Sequence, residues 1–484
     1  MDSANKKSFY ITTTLPYVNA PLHMGHALEF VRADAVARYK KMAGYDVFMN
    51  TGTDEHGIKI WRKAQEEGLS AQEFVDKGFN IFKSQLEMFG VIPDIHFIRT
   101  TDLNHESAAK EFWKRVSDAG YIYKKSYQTK YCVSCESEKM DSELDEKGFC
   151  LLHPGIPLEL LDEENYFFKY SAVAPKLLQF YEQNPEFVVP DFRFNEMKEF
   201  VKNGLQDFSI SRLKEKMPWG IEVPGDPKHV MYVWFDALVN YISTLGWPNE
   251  NENFKKYWVE GEPTQYCGKD NTRFQASMWQ AMLLVAGLPN SKKIIVDGFI
   301  TGEGGIKMSK SLGNVVDPGE VIKEYGTDAI RYFLLGEISS FEDSPFTIER
   351  FKEAYNAKLA NGLGNLASRV LALSEKYLSK CPEISETSDF SEYFLIFESY
   401  DLKKATEYVW NKISELDKFI QDTEPFKVIK IDEKKGKELL EKAMLDLYQI
   451  ARMLKPLMPS TNEKLEKLIL ENKKPETPLF PRFE

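Results

Sequence analysis

Cysteine is scarce in this chain, with five among 484 residues. Three of the five, Cys132, Cys135 and Cys150, fall in one short stretch, so the chain lacks the spread of cysteines that a disulfide framework requires. A clustered set of this kind is typical of a metal site in a reducing compartment. We therefore predict a cytoplasmic location.

Long hydrophobic runs are also lacking. The richest apolar stretch, residues 278–288, contains a glutamine and is far shorter than a bilayer span. Residues 1–7 are polar and show no hydrophobic segment of a secretory signal. We therefore expect neither a membrane span nor a signal peptide.

Positive charge is in deficit, since the formal net charge is -12. This balance argues against a general nucleic-acid binder, whose surface is usually basic, but a local basic face remains compatible with binding to tRNA. Hydrophobic residues make up 43% of the chain and charged residues 28%, the balance of a globular protein with a large core. Its length suggests about three folding units.

Strand and helix patterns alternate at the start of the chain. Residues 8–14 read as a strand, and residues 27–43 have a helical period that ends at Gly44. A second strand at 47–49 and a second helix at 58–67 follow. This alternation predicts a parallel α/β sheet.

The middle of the chain breaks this rhythm and the end becomes helical. The α/β pattern is expected to resume near 231–239 and to continue with a helix at 272–286 and a strand at 294–300. Long helical periods follow at 355–378 and 437–458. We therefore predict four spans: the first half of the sheet domain at 1–120, an insertion at 121–225, the second half of the sheet domain at 226–350, and an all-α domain at 351–484.

The motif His23-Met24-Gly25-His26 lies between the first strand and the first helix. A helix N-terminus offers unpaired N–H groups and a partial positive charge, which suit phosphate. The imidazoles can donate hydrogen bonds to phosphate oxygens, and Gly25 would let a flat base approach the backbone. Taken alone, the motif favours two surface histidines near a helix cap, and its context is what favours a phosphate site.

A second candidate phosphate site is the loop 301–311, which directly follows the strand predicted at 294–300. It contains three glycines and the point charges of Lys307 and Lys310, which can close on a polyphosphate. The alternative is an ordinary basic surface loop. That alternative does not explain why this loop and the histidine motif each follow a strand.

Together, the H-x-G-H and K-M-S-K-S motifs resemble the two signatures of class I aminoacyl-tRNA synthetases. The resemblance implies a Rossmann-like catalytic domain in which His23 and His26 contact the phosphates of ATP. Lys307 and Lys310 would stabilise the transition state as pyrophosphate leaves. The amino acid carboxylate would attack the α-phosphate directly, with Mg²⁺ sharing the charge, so catalysis would rest on positioning and electrostatics.

Further segments resemble the methionyl-tRNA synthetase family: 14–17, 51–57, 232–237 and 268–270. The resemblance implies that Asp54 binds the ammonium group of methionine and that Trp234 and Tyr241 enclose its side chain. Trp234 and Tyr241 lie seven residues apart in a segment that we predict to be one helix. Aromatic rings suit a polarizable thioether, although ordinary core aromatics would give the same local pattern. The full methionine set implied by the resemblance is Thr14, Leu15, Tyr17, Asp54, Trp234, Ala237 and Tyr241.

The same resemblance implies an ATP site and one departure from the family. The ATP set comprises His23, Gly25, His26, Glu29, Gly268, Asp270, Met308 and Lys310. Where the family usually has a histidine close to the methionine pocket, this chain has Gln275. Glutamine donates and accepts hydrogen bonds but does not titrate.

Two short metal-binding clips stand in the insertion, Cys132-x-x-Cys135 and Cys150-x-x-His153. Their spacing predicts a closed tetrahedral Cys₃His site for one structural Zn²⁺. The alternative is a set of unrelated buried thiols. The methionine family has a zinc knuckle in this insertion, where it would order a segment beside the active site.

The helical span 351–484 resembles the family's anticodon-binding bundle. Asn365 and Arg369 lie one helical turn apart and match the Asn and Arg that read the anticodon in the family. Phe426 stands where many members have a tryptophan that stacks on a base. From the residues alone, an exposed polar helix face is the better interpretation of Asn365 and Arg369. The end of the chain, near the end of the family's bundle, predicts a monomer.

The resemblance implies a methionine–tRNA ligase. It would convert L-methionine and ATP into methionyl-adenylate and pyrophosphate, then transfer methionine to the 3′-terminal adenosine of tRNA(Met) for initiation and elongation. One alternative is a class I synthetase for another amino acid, such as cysteine, although that enzyme uses zinc in its substrate site. The other is a non-catalytic tRNA-binding relative, against which the intact histidines and lysines argue.

Overall fold

The structure is a computed structural model that describes residues 6–135, 137–139, 143–249, 252–306, 308, 316–384 and 389–483. Within these ranges, no helix has the length and apolar character needed to cross a bilayer.

The described part of the chain contains fifteen strands. In chain order, β1 to β15 are Ser8–Thr12, Asp46–Thr53, His96–Arg99, Ile122–Cys132, Ser137–Lys139, Glu159–Phe168, Val188–Val189, Phe208–Ser209, Ser211–Leu213, Glu222–Val223, Asp226–Met231, Glu262–Gly268, Lys293–Asp297, Ile300–Thr301 and Ser344–Pro345.

Eighteen α-helices are described in the same ranges. In chain order, α1 to α18 are Met24–Met42, Ile58–Glu66, Ala71–Met88, Leu103–Asp118, Ala174–Gln183, Asp191–Lys202, Val233–Ala237, Asn240–Ser243, Trp279–Ala286, Pro318–Tyr325, Thr327–Tyr332, Ile348–Ala354, Asn365–Tyr377, Ser391–Glu398, Leu402–Thr423, Pro425–Val428, Glu433–Leu454 and Pro459–Leu470. Two π-helical runs, Arg273–Met278 and Tyr355–Gly364, lead directly into α9 and α13.

A six-stranded parallel sheet forms the centre of the molecule, with the order β3-β2-β1-β12-β13-β7. Both of its faces are covered, because Phe9 and Ile11 of β1 belong to one hydrophobic core and Tyr10 to the other. The predicted Rossmann-like α/β fold is therefore confirmed. The direction in which successive strands are added to the sheet reverses between β1 and β12. Parallel sheets of this kind bind their ligands at such a reversal, beyond the carboxyl ends of the strands.

The cysteine-rich segment belongs to a separate antiparallel sheet with the order β5-β4-β6-β8. Its backbone is the long β4–β6 ladder, which extends from the pair Ile122↔Phe168 to the pair Tyr131↔Glu159. The chain then returns to the central sheet, where β7 pairs with β13 at the edge. Since β8 pairs with β6 and follows β7 in the chain, the antiparallel sheet is built from residues on both sides of this edge strand.

The segment 231–239 differs from the sequence-based expectation. The α/β pattern does not resume there, because β11 ends at Met231 and pairs antiparallel with β9 and β10 outside the central sheet. The helix expected to carry Trp234 and Tyr241 is in fact two short helices, α7 and α8. A short apolar run fits strand and helix equally well, so its periodicity could not decide between them.

The last third of the chain is helical, as predicted, from α12 to α18. Arg331 on α11 joins this bundle to the sheet domain and is fully buried. Its guanidinium donates to Asp34 Oδ2 on α1 at 2.6 Å and to the carbonyls of Leu457 and Pro456 at 3.0 and 3.1 Å. One side chain thus connects α1 to the turn between α17 and α18.

We predict that Arg331→Met lowers the free energy of unfolding by about 3–5 kcal/mol, because it leaves Asp34 and several carbonyls buried without this donor. Urea unfolding followed by tryptophan fluorescence measures the change. The matched control is Arg115→Met, which removes an exposed i,i+4 ion pair with Glu111 and should cost far less. Equal losses in the two variants would contradict the role given to Arg331.

Candidate active site and metal centre

The histidine motif forms the N-terminal cap of α1. His23 is the N-cap residue, and its Nδ1 accepts a hydrogen bond from the backbone N–H of Gly25 at 3.1 Å. Reciprocally, His26 Nδ1 accepts from the backbone N–H of His23 at 3.3 Å. Because each Nδ1 acts as an acceptor, the hydrogen of each neutral ring lies on Nε2. The cap therefore places the N–H of each ring on Nε2, at a helix N-terminus.

The two imidazoles stack with their ring centroids 3.8 Å apart. Burial, and secondarily the proximity of His23, lower the pKa of His26 to about 3. His26 is therefore neutral at physiological pH. It can donate one hydrogen bond to an anion without carrying a full charge.

A buried ion pair joins the helix that begins at the histidine motif to the strand that precedes the lysine loop. Arg32, two helical turns into α1, donates to Asp297 Oδ1 at 2.7 Å, and both side chains are buried. Asp297 is the last residue of β13, directly before the lysine loop. Burial raises the pKa of Asp297 to about 6, although Arg32 opposes this rise. The ion pair therefore fixes the starts of both motifs relative to each other.

The lysine loop itself is described only in part. Gly302–Ile306 follow β14, and Met308 packs partly buried against the hydrophobic core. Lys307 and Lys310 lie outside the described residues. Since β13 lies beside β12 and β12 beside β1, the described start of the loop and the histidine motif both follow strands of the same parallel sheet.

All seven residues predicted to bind methionine line one cleft. These are Thr14, Leu15, Tyr17, Asp54, Trp234, Ala237 and Tyr241. The structure thus brings together residues from three distant segments, at the edge where β1 and β2 end. Their role in binding methionine stays a prediction.

Hydrogen bonds hold the walls of this cleft in place. The segments after β1 and β2 meet in a parallel bridge between Tyr17 and Asp54, and the backbone N–H of Asp54 donates to the Pro16 carbonyl at 3.0 Å. Glu29 Oε1 accepts from both the backbone N–H and the hydroxyl of Thr14, each at 2.6 Å. Backbone hydrogen bonds and the Glu29 carboxyl therefore hold the polar wall of the cleft in position.

The opposite wall is aromatic. Trp234 meets Phe274 edge to face with centroids 4.4 Å apart, and the buried Tyr241 contacts Trp279 at 5.9 Å. Gln275 donates a hydrogen bond from Nε2 to the Tyr241 hydroxyl. Edge-to-face rings with one polar group suit a flexible, polarizable side chain.

Five lining residues were not predicted as methionine-binding: Leu238, Asn240, Asn271, Phe274 and Gln275. Phe274 and Gln275 follow the Gly-Lys-Asp segment, so their proximity to a recognised motif was the available signal. Asn271 directly follows the same segment and Asn240 precedes the predicted Tyr241, so the same signal was available for both, but only the folded chain brings the α7–α8 break beside the turn after β12.

The residues predicted to meet adenosine divide into two groups. Gly25, Gly268 and Asp270 lie at the ends of adjacent strands or at the start of α1, and Asp270 is exposed. Glu29 is different, since it is buried and supports Thr14. Burial raises the pKa of Glu29 to about 8, so its side chain is largely protonated at neutral pH.

A buried pair lies next to Asp54 along the chain. His56 Nδ1 and Asp236 Oδ2 are 3.0 Å apart, and this contact joins the segment after β2 to α7, which carries Trp234. Trp219 packs edge to face on His56 and donates from Nε1 to the Glu55 carbonyl at 2.6 Å. These contacts fix the spacing between the acidic and aromatic walls.

The predicted metal cluster is present. The ligand atoms of Cys132, Cys135, Cys150 and His153 all lie within 4.8 Å of one another. His153 Nδ1 is 3.1, 3.9 and 4.0 Å from the sulfurs of Cys135, Cys132 and Cys150. Tetrahedral Zn²⁺ with S and N ligands requires ligand separations of about 3.5–3.8 Å. The four groups therefore fit one zinc ion with a complete protein shell.

The candidate anticodon residues occupy the helical bundle. Asn365 is exposed at the start of α13, and Phe426 is partly exposed in α16. Arg369 forms an ion pair with Asp417 on α15, whose other oxygen accepts from Gln421 at 2.5 Å. The sequence did not identify Asp417 or Gln421, because their relation to Arg369 arises only from helix packing.

Comparisons with known proteins agree with this geometry. The family model described as "tRNA synthetases class I (M)" matches residues 9–151 and 145–371. The methionine–tRNA ligase of Caldanaerobacter subterraneus is 42% identical over 476 residues, which cover 95% of this chain and 73% of that protein. The Thermotoga maritima methionine–tRNA ligase is 38% identical, covering 96% of this chain and 76% of that protein.

Solved structures are similar over nearly the whole chain. Mycobacterium tuberculosis methionyl-tRNA synthetase in complex with methionyl-adenylate has a TM-score of 0.88 at 35% identity, covering 98% of this chain and 100% of that one. The apo form of the same synthetase has a TM-score of 0.84 at 31% identity, covering 100% of both chains.

We predict that the purified chain contains one zinc ion and that Cys150→Ala loses it, because three ligands no longer close the tetrahedral shell. Metal analysis by mass spectrometry gives the stoichiometry. Cys381→Ala is the matched control, since Cys381 lies outside the cluster, and it should retain the ion. Full zinc content in Cys150→Ala would contradict the assignment.

Proposed function

The chain belongs to the class I tRNA synthetases of the methionine type, and from this premise we propose that the cleft lined by Asp54, Trp234 and Tyr241 is its amino acid site. The reaction is the ATP-dependent ligation of methionine to tRNA, through methionyl-adenylate. The observation that carries the site assignment is the meeting of one carboxylate and an aromatic wall at the edge of the sheet. Asp54 would bind the ammonium, and the aromatic rings would enclose the thioether.

The phosphates would lie beside this cleft, over the N-terminus of α1. His23 and His26 would donate from Nε2 to phosphate oxygens, since the helix cap uses the Nδ1 atom of both rings. Lys307 and Lys310 would contact the β- and γ-phosphates, with Mg²⁺ sharing their charge. This arrangement needs no enzyme nucleophile. The methionine carboxylate attacks the α-phosphorus, the bond to pyrophosphate breaks, and fixed donors stabilise the charge that develops.

Adenosine would be held at the adjacent strand end. Gly268 and Asp270 are suitable for the nucleoside, with Gly25 giving the base access to the backbone and Met308 approaching from the loop. Glu29 would act indirectly, by holding Thr14 in position, because its buried carboxyl already accepts hydrogen bonds from the backbone N–H and hydroxyl of Thr14.

Zinc would be bound by Cys132, Cys135, Cys150 and His153. When bound, it supplies only structural cross-linking, because all four positions are protein ligands. The ligands themselves close the tip of the β4–β6 hairpin into a rigid knuckle, which would guide the acceptor end of tRNA(Met) toward the cleft.

Several finer assignments belong to the same proposal. The spans 1–120 and 226–350 would form the catalytic domain, 121–225 the connective insertion and 351–484 the anticodon-binding domain. Asn365, Arg369 and Phe426 would read the anticodon, by hydrogen bonding and base stacking. We further propose a cytoplasmic location, and the expectation of a monomer stays a prediction.

Amino acid-dependent exchange of labelled pyrophosphate into ATP tests the proposed function. We expect exchange with methionine and negligible exchange with other natural amino acids at similar concentrations. Exchange with cysteine or another amino acid instead would favour a different specificity. No exchange with any amino acid, in a folded chain that still binds tRNA, would favour a non-catalytic relative.

We predict that His26→Gln retains much more exchange activity than His26→Asn. The amide nitrogen of glutamine can reach the position of Nε2, whereas that of asparagine reaches only the position of Nδ1. Loss of one donor to developing charge costs a factor of about 10²–10³ in kcat. Because the pKa of His26 is lowered to about 3, its neutral form prevails above that pH, so His26 itself should not titrate between pH 5 and 8.

Steady-state exchange rates of both variants, measured from pH 5 to 8, check this prediction. Equal losses in the two variants would show that the Nε2 donor does not matter. A wild-type exchange rate that rises as the pH falls from 8 to 5, with no such rise in His26→Gln, would show that the charge of His26 rather than its hydrogen bond matters.

A further inference from the structure

A buried pair of side chains, His56 and Asp236, joins the two segments that carry the walls of the cleft. Neither residue lines the cleft, but each follows a lining residue by two positions, His56 after Asp54 and Asp236 after Trp234. Their exposed fractions are 3% and 0%. The pair therefore connects the acidic wall to the aromatic wall from outside the space that a ligand occupies.

The contact within the pair is a directed hydrogen bond. His56 Nδ1 lies 3.0 Å from Asp236 Oδ2. A carboxylate oxygen only accepts, so the hydrogen lies on Nδ1 and the imidazole is the donor. Burial raises the pKa of Asp236, and the proximity and hydrogen bond of His56 oppose this rise. The contact therefore stabilises an ionised carboxylate at a position without access to solvent.

The segment that carries Asp54 is firmly attached to the central sheet. Glu55, the next residue, accepts from Arg99 Nε at 2.7 Å, and its backbone N–H donates to Thr100 Oγ1 at 2.9 Å. Arg99 is the last residue of β3, and Thr100 directly follows it. His56 therefore extends from a segment whose position is fixed by the ends of β2 and β3.

The helix that carries Trp234 lies outside the central sheet. This helix, α7, has five residues and follows β11, a strand of a separate antiparallel sheet. So short a helix is not stable by itself, so contacts with neighbouring elements determine where it lies. Phe235 packs on Trp113 of α4 with the ring centroids 5.1 Å apart. The bond from His56 adds a directional contact and joins α7 to the segment after β2.

Methionine has to reach both walls at once. Its ammonium and its side chain leave the same α-carbon, so the Asp54 carboxylate and the Trp234 ring have to lie at one spacing. A ligand that spans two attachment points gains affinity from a fixed spacing, because binding then costs less ordering of the protein. A ligand that touches one wall gains nothing from the spacing.

We propose that His56 and Asp236 are positioning residues that make binding of the ammonium and binding of the side chain cooperative. The pair sets the distance between the Asp54 carboxylate and the Trp234 ring before the substrate arrives. This inference rests on the proposed function, because it takes the cleft to be the methionine site. It assigns a role in substrate recognition to two residues that do not contact the substrate.

Two amides at position 56 separate the hydrogen bond from the bulk of the side chain. The nitrogen of an asparagine side chain can reach the position of Nδ1, whereas that of glutamine reaches the position of Nε2. His56→Asn should therefore keep the bond to Asp236, and His56→Gln should lose it. In pyrophosphate exchange, we expect His56→Gln to raise KM for methionine about tenfold and to leave KM for ATP unchanged. His56→Asn should remain within about threefold of the wild type for both substrates.

Ligands that touch one wall test the cooperativity itself. The probes are a methionyl-adenylate mimic with a sulfamate in place of the phosphate, and the same molecule with hydrogen in place of its ammonium. We expect His56→Gln to raise the inhibition constant of the complete mimic about tenfold and that of the deaminated mimic less than about threefold. Equal factors for the two mimics would overturn the proposal, because a general loosening of the cleft weakens both alike.

His229→Gln is the matched control, because His229 and Asp226 form a buried pair of the same kind. Their Nδ1 and Oδ2 atoms are also 3.0 Å apart, and His229 is 1% exposed. Both residues lie on β11, so this pair does not connect the walls of the cleft. We expect His229→Gln to leave KM for methionine unchanged, and thermal unfolding compares the stability that each variant loses. A rise in KM equal to that of His56→Gln would contradict the assigned role.

The outcomes separate this inference from the proposed function. Absence of methionine-dependent exchange in the wild-type chain would overturn the proposed function. Normal exchange in the wild type with an unchanged KM for methionine in His56→Gln would overturn the role of the pair alone, as would equal rises in KM for methionine and ATP. Should His56→Gln fail to fold, Asp236→Asn replaces the charged acceptor by a neutral one. The weaker bond should raise KM for methionine alone about threefold, and an unchanged KM would again overturn the proposal.

Discussion

The buried ion pair between Arg32 and Asp297 is the interaction on which the arrangement of the phosphate motifs depends. Arg32 lies on the helix that begins at the two histidines, and Asp297 ends the strand that leads to the lysine loop. Desolvation of two charges is costly, but Arg32 also donates to the carbonyls of Leu334, Ile338, Ser339 and Ser340. Both terminal nitrogens of this guanidinium are hydrogen-bonded, and these bonds fix the histidine helix against β13.

The same helix is fixed a second time from its opposite side. Asp34 accepts from Arg331, which also bonds the turn between α17 and α18. Arg32 thus holds α1 against the central sheet, and Asp34 holds the same helix against the helical bundle. This pairing gives a direct physical connection between the helix that begins at the histidine motif and the helical bundle.

The cleft shows a related use of buried polar groups. Methionine has little polar character in its side chain, so shape alone gives limited discrimination against hydrocarbon analogues. Amides placed behind the aromatic wall can bond one another without exposing any charge. Gln275 donates to the Tyr241 hydroxyl, and the π-helical run that carries it places both Phe274 and Gln275 on the cleft.

Much of this protein was determined by local sequence. The alternation of strand and helix, the helix start at His23 and the Cys₃His spacing rest on neighbours within a few residues, and the structure confirms these three features. The methionine motifs predicted which segments meet, and the cleft contains all seven of the residues named. Local patterns were sufficient there because caps, clips and strand ends depend on short-range geometry.

Tertiary structure alone decided the rest. The break between α7 and α8, the ion pair between Arg32 and Asp297 and the hydrogen bond from Gln275 to Tyr241 depend on contacts with residues outside the local segment. A glutamine has no inherent donor side in a sequence; its amide acquires one only when a fixed backbone group lies next to it. Packing brings those groups together, and burial then leaves a single hydrogen-bonding arrangement.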